Sequence, residues 1–187
     1  MKNKGNLIVI SGPSGVGKGT VCKRLLSDCE NLALSISATT RTPRSEDTEG
    51  VTYYFKTRDQ FEDMIKNGDF LEWAIYNNNY YGTPLKPVCE KLEQGINVLL
   101  EIDVQGALDV KHNFPGGIYI FIAPPSIETL YERLKGRGTE NPEEISRRVE
   151  AATLELSQKD EYDYIVINDQ LEIAVDEIKD IINRRSV

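Results

Sequence analysis

The segment Gly12-Pro13-Ser14-Gly15-Val16-Gly17-Lys18 lies between the apolar run Leu7-Ile8-Val9-Ile10 and a stretch of helical apolar spacing, and it constrains this chain more than any other feature. It matches the first seven positions of the pattern G-x-x-x-x-G-K-[ST]. A short apolar run that stops at a turn suits a parallel strand covered on both faces, and Val21, Cys22, Leu25 and Leu26 fall at the spacing of a helix from Lys18 to about Cys29. Glycines let successive backbone N–H groups turn toward one anion. The helix N-terminus adds partial positive charge, and Lys18 brings a mobile cation. Strand, loop and helix together predict a site for the phosphates of a nucleotide, lined by Gly12 to Lys18 and the following Gly19 and Thr20.

The eighth position departs from the pattern: Gly19 stands where a hydroxyl is usual, and the hydroxyl arrives one residue later at Thr20. Two arrangements for Mg²⁺ stay open, ligation by Thr20 through water or an ion held mainly by phosphates and water, since this cation dehydrates reluctantly. Asp103 follows the apolar run Asn97 to Ile102, at the strand end where open α/β sheets place ligand-contacting groups. It faces either the metal or the second substrate.

The alternation that opens the chain returns later. Asn97 to Ile102 reads as strand, Val104 to Lys111 as helix and Ile118 to Ile122 as strand before Pro124-Pro125. Ser126 can then cap a helix with Ile127, Leu130, Tyr131 and Leu134 on one face. Tyr164 to Ile167 supplies a late strand, and Asp169 with Glu172 form a capping-box pair for a last helix striped by Leu171, Val175, Ile178 and Ile182. The assembly expected is α/β, a doubly wound parallel sheet covered by helices. Residues 35–93 interrupt it with a stretch rich in Thr, Arg, Tyr and Asn that reads as strands and turns, with short helices near Asp59 to Lys66 and Leu85 to Leu92. A second interruption, about 126–157, gathers Arg133, Arg137, Arg147 and Arg148 around Gly136-Arg137-Gly138 and suits a hinged cover.

Composition excludes several alternatives. The 187 residues suffice for one compact domain with small insertions, and 40% hydrophobic with 28% charged residues is ordinary for a globular enzyme. A formal charge of -8 disfavours a general nucleic-acid binder. No window approaches the ~18 apolar residues that span a bilayer, so no membrane attachment and a cytoplasmic location are expected. Cys22, Cys29 and Cys89 lack paired spacing, which suggests neither a disulfide framework nor a zinc site. His112 is the only histidine and has no partner nearby in sequence, so histidine catalysis is not expected. The sequence is equally compatible with a monomer and a homo-oligomer.

Along nearly its whole length the chain resembles the guanylate kinase family. The residues that carry the likeness are Ile10 to Thr20, Ser37-Ala38-Thr39-Thr40-Arg41-Thr42-Pro43-Arg44, Glu72-Trp73-Ala74, Tyr80-Tyr81-Gly82-Thr83, Ile102-Asp103-Val104-Gln105-Gly106 and Gly136-Arg137-Gly138-Thr139-Glu140. The resemblance implies a P-loop NTPase-type core (1–34, 94–125 and 158–187), a GMP-binding lobe (about 35–93) and a helical lid (about 126–157). It also implies transfer of the γ-phosphoryl group of ATP to GMP with Mg²⁺ as cofactor. It marks Ser37, Arg41, Arg44, Tyr53, Glu72, Tyr81, Thr83 and Asp103 as GMP contacts. It assigns Lys18, Arg41, Arg137 and Arg148 to catalysis, with Arg133 and Asn168 beside the ATP.

The chemistry of these residues agrees. Two guanidinium forks, Arg41 and Arg44, with the hydroxyls of Tyr53 and Tyr81 suit a dianionic monophosphate. A carboxylate at Glu72 can accept from both N1–H and the exocyclic amine of guanine, a donor pair adenine lacks. Bland readings stand beside these: a solvated arginine pair, an edge-exposed acid at Glu72, and a surface ion pair between Arg148 and Glu144 four residues before it. Asp47 occupies a position where the family usually has Glu, and it is left out of the expected site. Two rival readings are a scaffold domain of the same fold that binds phosphorylated peptides, and a kinase for AMP, UMP or a ribose bisphosphate. The intact loop opposes the first and Glu72 the second.

Overall fold

The computed structural model describes residues 4–136 and 141–185. Five parallel strands form the central sheet in the order β2-β7-β1-β8-β9, where β1 is Leu7–Ser11, β2 Leu32–Leu34, β7 Asn97–Glu101, β8 Ile118–Ala123 and β9 Tyr164–Ile167. Alternation within β1 shows why these runs are apolar on both sides. Ile8 and Ile10 pack with Leu99, Ile120 and Val166 on one face, against Val21, Cys22 and Leu25 of α1 (Lys18–Asp28) and Val175, Ile178 and Ile182 of α7 (Leu171–Arg185). Leu7 and Val9 point the other way with Leu100, Tyr119 and Phe121. That face is covered by Val104, Ala107 and Val110 of α4 (Val104–Asn113) and by Val88 and Leu92 of α3 (Leu85–Glu93). α3, which the sequence groups with the inserted lobe, therefore packs on the central sheet.

The lobe is a second, four-stranded sheet of order β4-β3-β6-β5, with β3 at Ala38–Thr39, β4 at Tyr54–Phe55, β5 at Phe70–Tyr76 and β6 at Asn79–Pro84. Antiparallel β5 and β6 are joined through Asn77 and Asn78, whose φ values of 46° and 63° give the left-handed pair that suits a two-residue hairpin. α2 (Arg58–Asn67) opens with a capping box between Thr57 and Gln60 and buries Phe61 against Phe70 and Tyr80, with ring centroids 4.3 and 5.1 Å apart. This aromatic stack is a small core of the lobe's own.

The remaining helices are α5 (Ile127–Lys135) and α6 (Pro142–Leu156). Ser126 caps α5 as the sequence predicts, and Asn141 with Glu144 forms the capping box of α6. Leu130 and Leu134 meet Ile145, Val149 and Ala152 between the two helices. One expectation fails: α7 begins at Leu171, with the Ala174 N–H bonded to the Gln170 carbonyl, so Asp169 and Glu172 do not frame a capping box. Glu172 receives Arg24 instead, at 3.1 Å, because the start of α7 lies beside α1. His112 is exposed at the end of α4, as expected of a solvated helix-end residue.

Candidate active site

The C-terminal ends of β1, β7, β8 and β9 deliver the loop Gly12 to Gly17, the pair Glu101 and Asp103, Ala123 and Asn168 to one edge of the sheet. The loop turns tightly there. Gly12 has φ +140°, and a Cβ on it would lie 2.2 Å from the Ile122 carbonyl oxygen, so no side chain fits where the loop leaves the strand. Val16 is buried in the core, and its carbonyl accepts from Asn168 Nδ2 at 2.8 Å and from Arg133 at 3.4 Å. Asn168 is itself buried, held through its backbone N–H to the Ala123 carbonyl at 2.8 Å. Asn168 and Arg133 thus brace the loop at Val16.

Lys18 opens α1 and folds back to donate to the carbonyls of Gly12 at 2.5 Å and Pro13 at 3.1 Å. Burial pushes its ammonium below the usual lysine range, against the opposing charges of Glu155, Glu101 and Asp103. Beside it lies a cleft of about 290 Å³ lined by Ser14, Gly15, Gly17, Lys18, Gly19, Thr20, Lys23 and Glu101. A Cβ at Gly19 would sit 3.4 Å from Glu101 Oε1, in ordinary contact, so the missing hydroxyl leaves Thr20 and Glu101 as the hard oxygen donors nearest the helix start. Among the described residues no three His, Cys, Asp or Glu side chains cluster as a metal cage. That donor set fits a Mg²⁺ bound chiefly through substrate phosphates and water, the first of the two arrangements being Thr20 through water.

The second half-site lies in the lobe. Thr83, fully buried on β6, donates from Oγ1 to Glu72 Oε1 at 2.6 Å, a cross-strand pair on the registered β5-β6 hairpin. Glu72 Oε2 faces Gly106, where a Cβ would lie 3.5 Å from it. Burial raises the Glu72 carboxyl above its usual range, the Thr83 hydroxyl opposes this, and the charge of Asp103 adds to it. Asp103 caps α4 by accepting from the Gly106 N–H at 2.7 Å. Its charge is felt by Glu72 on one side and by Lys18 on the other, so it sits between the half-sites. The edge-exposed reading of Glu72 does not hold.

Arg41 donates to Asp47 at 2.8 Å and lies over the rings of Tyr53 and Phe55, 5.4 and 5.9 Å from their centroids. Tyr81 meets Tyr53 edge-on at 6.1 Å, and the Ser37 carbonyl accepts from the Tyr54 N–H, which ties these residues to one end of the small sheet. Asp47 also accepts from the Arg44 N–H at 2.7 Å. The Arg44 amide first, then Arg41, hold its carboxyl below the usual range against the effect of burial. Arg44 itself is exposed. Sequence reasoning set Asp47 aside; its place beside Arg44 comes from the turn in which the Asp47 N–H also donates to the Arg44 carbonyl at 3.1 Å.

On α6, Arg148 donates to Ser14 Oγ at 3.4 Å, which places it on the phosphate loop, while Glu144 is engaged with the Asn141 N–H. Glu155, which the sequence did not single out, is half-buried on the same helix, and burial raises its carboxyl above the usual range while the charge of Lys18 opposes this. Arg137 lies outside the described residues. The lobe carries Ser37, Arg41, Tyr53, Glu72, Tyr81 and Thr83, the C-terminal edge of the central sheet carries Gly12 to Gly17, Asp103 and Asn168, and Arg133 and Arg148 reach the loop from α5 and α6.

The guanylate kinase family model matches residues 4–185. The chain is 52% identical over 181 residues to a guanylate kinase of Halalkalibacterium halodurans, covering 97% of this chain and 89% of that one. It is 53% identical to a guanylate kinase of Caldanaerobacter subterraneus subsp. tengcongensis, with 97% and 88% covered. Among solved structures, guanylate kinase from Anaplasma phagocytophilum superposes with a TM-score of 0.75 at 34% identity, covering 100% of this chain and 88% of that one.

Proposed function

The chain belongs to the guanylate kinase family and phosphorylates GMP to GDP at the expense of ATP; from that premise we propose how its own residues divide the work. Lys18 leaves the Gly12 and Pro13 carbonyls to meet the β- and γ-phosphates, and the loop N–H groups from Gly15 to Thr20 cradle them. Arg133 and Arg148, with Arg137, offset charge on the transferring oxygens from the lid side. Arg41, aimed by Asp47, and Arg44 with Tyr53 and Tyr81 hold the acceptor phosphate. Glu72, oriented by Thr83, accepts both guanine donors, while Ser37 and Asp103 complete the base pocket. Asn168 lies at the adenine end and keeps the loop in place. No covalent nucleophile is needed, because the reaction asks for alignment and charge compensation.

Mg²⁺ held by Thr20 through water and by the phosphates would supply further compensation on the ATP oxygens. The GMP contacts assigned here go to base and phosphate, so dGMP is also an acceptor. Three free thiols and a requirement for ATP suit a cytoplasmic enzyme. Among the described residues no helix is long and apolar enough to cross a membrane.

The observation that supports the acceptor assignment is the 2.6 Å bond from Thr83 to the partly enclosed Glu72, which leaves Oε2 on the side of Gly106 and Asp103. The test is ADP formation from ATP and Mg²⁺ with GMP, AMP, UMP and CMP in parallel. GMP should be preferred by orders of magnitude, and Lys18→Ala should lower kcat/KM by about 10²- to 10³-fold, the scale of losing one charge-stabilising donor. Equal rates across acceptors, or a fully active Lys18→Ala protein, would refute the assignment.

A further inference from the structure

Where β3 ends, a buried hydroxyl joins Arg41 to the neighbouring strand. Thr39, the last residue of β3, is fully buried. Its Oγ1 donates to the Tyr80 carbonyl on β6 at 2.8 Å and accepts from the Arg41 N–H at 3.1 Å. Thr40 clasps the same tyrosine, its N–H donating to the Tyr80 carbonyl at 3.1 Å and its Oγ1 accepting from the Tyr80 N–H at 2.9 Å. Tyr80 is a firm anchor, because its ring stacks on Phe61 of α2 and its hydroxyl donates to Glu62 at 3.2 Å. The Thr39 carbonyl accepts from the Lys56 N–H at 2.9 Å, so the same residue also ties down the end of β4.

Asp47 holds the guanidinium of Arg41, but a head on a long flexible stem is aimed only when its backbone is fixed as well. Thr39 is paired with Tyr81 in the β3–β6 register, so its hydroxyl sets the Arg41 backbone against the strand that bears Tyr81. A hydroxyl that accepts from the amide two residues on replaces a ladder bond and turns the chain out of the strand. We propose that Thr39 is a positioning residue for the acceptor phosphate: its hydroxyl passes the rigidity of the Phe61–Tyr80 stack to the backbone of Arg41 and so fixes where the guanidinium fork meets GMP. A valine of similar shape would fill the same space and deprive the Arg41 N–H of this acceptor.

This inference rests on the assignment of Arg41 to the GMP phosphate, and the two fail differently. Dissociation constants for GMP are measured by calorimetry, and KM for both substrates by ADP formation, for wild type, Thr39→Val, Thr39→Ser, Arg41→Ala and the double variant of Thr39→Val with Arg41→Ala. Thr39→Val should weaken GMP binding about fivefold, the scale of one net hydrogen bond, and raise KM for GMP with KM for ATP unchanged. Thr39→Ser keeps the hydroxyl and loses a buried methyl, so it should bind GMP as wild type does while melting at a lower temperature. A residue that only filled space would give the reverse order, with valine harmless and serine damaging. Combined with Arg41→Ala, Thr39→Val should weaken GMP binding no further, because its effect passes through Arg41. If the valine protein does not fold, Thr39→Ala takes its place in the comparison with serine. Unchanged GMP binding in the folded variant, or an equal loss with and without Arg41, overturns the inference. Should Arg41→Ala bind GMP as wild type does, the phosphate-site assignment itself falls.

Discussion

Glu72 shows how much of the chemistry rests on single side chains. Burial raises its carboxyl above the unfolded range, so the native chain holds that proton more tightly than the unfolded chain. Stability without nucleotide therefore falls as pH rises from the unfolded value through the raised native one, and at neutral pH the bare carboxylate is a cost. Glu72→Gln should accordingly raise the melting temperature of the nucleotide-free protein while weakening GMP binding by 10²-fold or more, on the order of what an unpaired group in a base pocket costs. As pH falls through the raised range, Glu72 gains a proton and loses an acceptor, so GMP affinity should drop more steeply in wild type than in the variant, where only the phosphate's own titration remains. Calorimetric titration from about pH 8 down to about pH 5 separates the two. Asp47 makes a comparable case on the phosphate side. Asp47→Asn leaves Arg41 between the rings of Tyr53 and Phe55 without its anchor, and KM for GMP should rise about tenfold with the ATP constants unchanged. The types of these residues were legible in the sequence, but the partnership of Arg41 with Asp47 was not, since it depends on how the loop between them closes.

At the scale of elements, the phosphate loop works because β1, α1, α5 and β9 each hold one part of it. Gly15 has φ +88° and its missing Cβ is the space that Leu134 fills. Gly15→Ala combines a left-handed backbone with that collision and should cost about 1–3 kcal/mol of stability and raise KM for ATP, read from thermal melts and initial rates. Helix boundaries were legible where a capping residue was read from the pattern: Ser126 stands at the start of α5. The start of α7 was not, because Asp169 and Glu172 have capping-box spacing but the approach of α1 draws Glu172 to Arg24. A tertiary ion pair overrode a local signal.

For the molecule as a whole, the two half-sites meet around Asp103, whose charge reaches both Glu72 and Lys18. Closure of the lid over ATP before GMP is in place would let water take the phosphoryl group, so ATP cleavage without GMP should be far slower than transfer with it. Coupled ADP assays with and without GMP test this, and equal rates would exclude the gating. The layers that hold this geometry are deep: Ile120→Ala, in a strand buried on both faces, should cost about 2–5 kcal/mol. By itself the sequence determined the strand-loop-helix that binds phosphates, the alternation that builds a parallel sheet, and the carboxylate and arginines suited to a guanine monophosphate. The first two are written in local spacing and residue type, and the third is picked out by the likeness to the guanylate kinase family. Only the tertiary structure decided that Thr83 orients Glu72, that Asn168 braces Val16 and that Arg148 reaches Ser14. Those pairs are set by strand register and helix packing between residues far apart in the chain, and no local pattern encodes which distant side chains the packed layers bring within hydrogen-bonding distance.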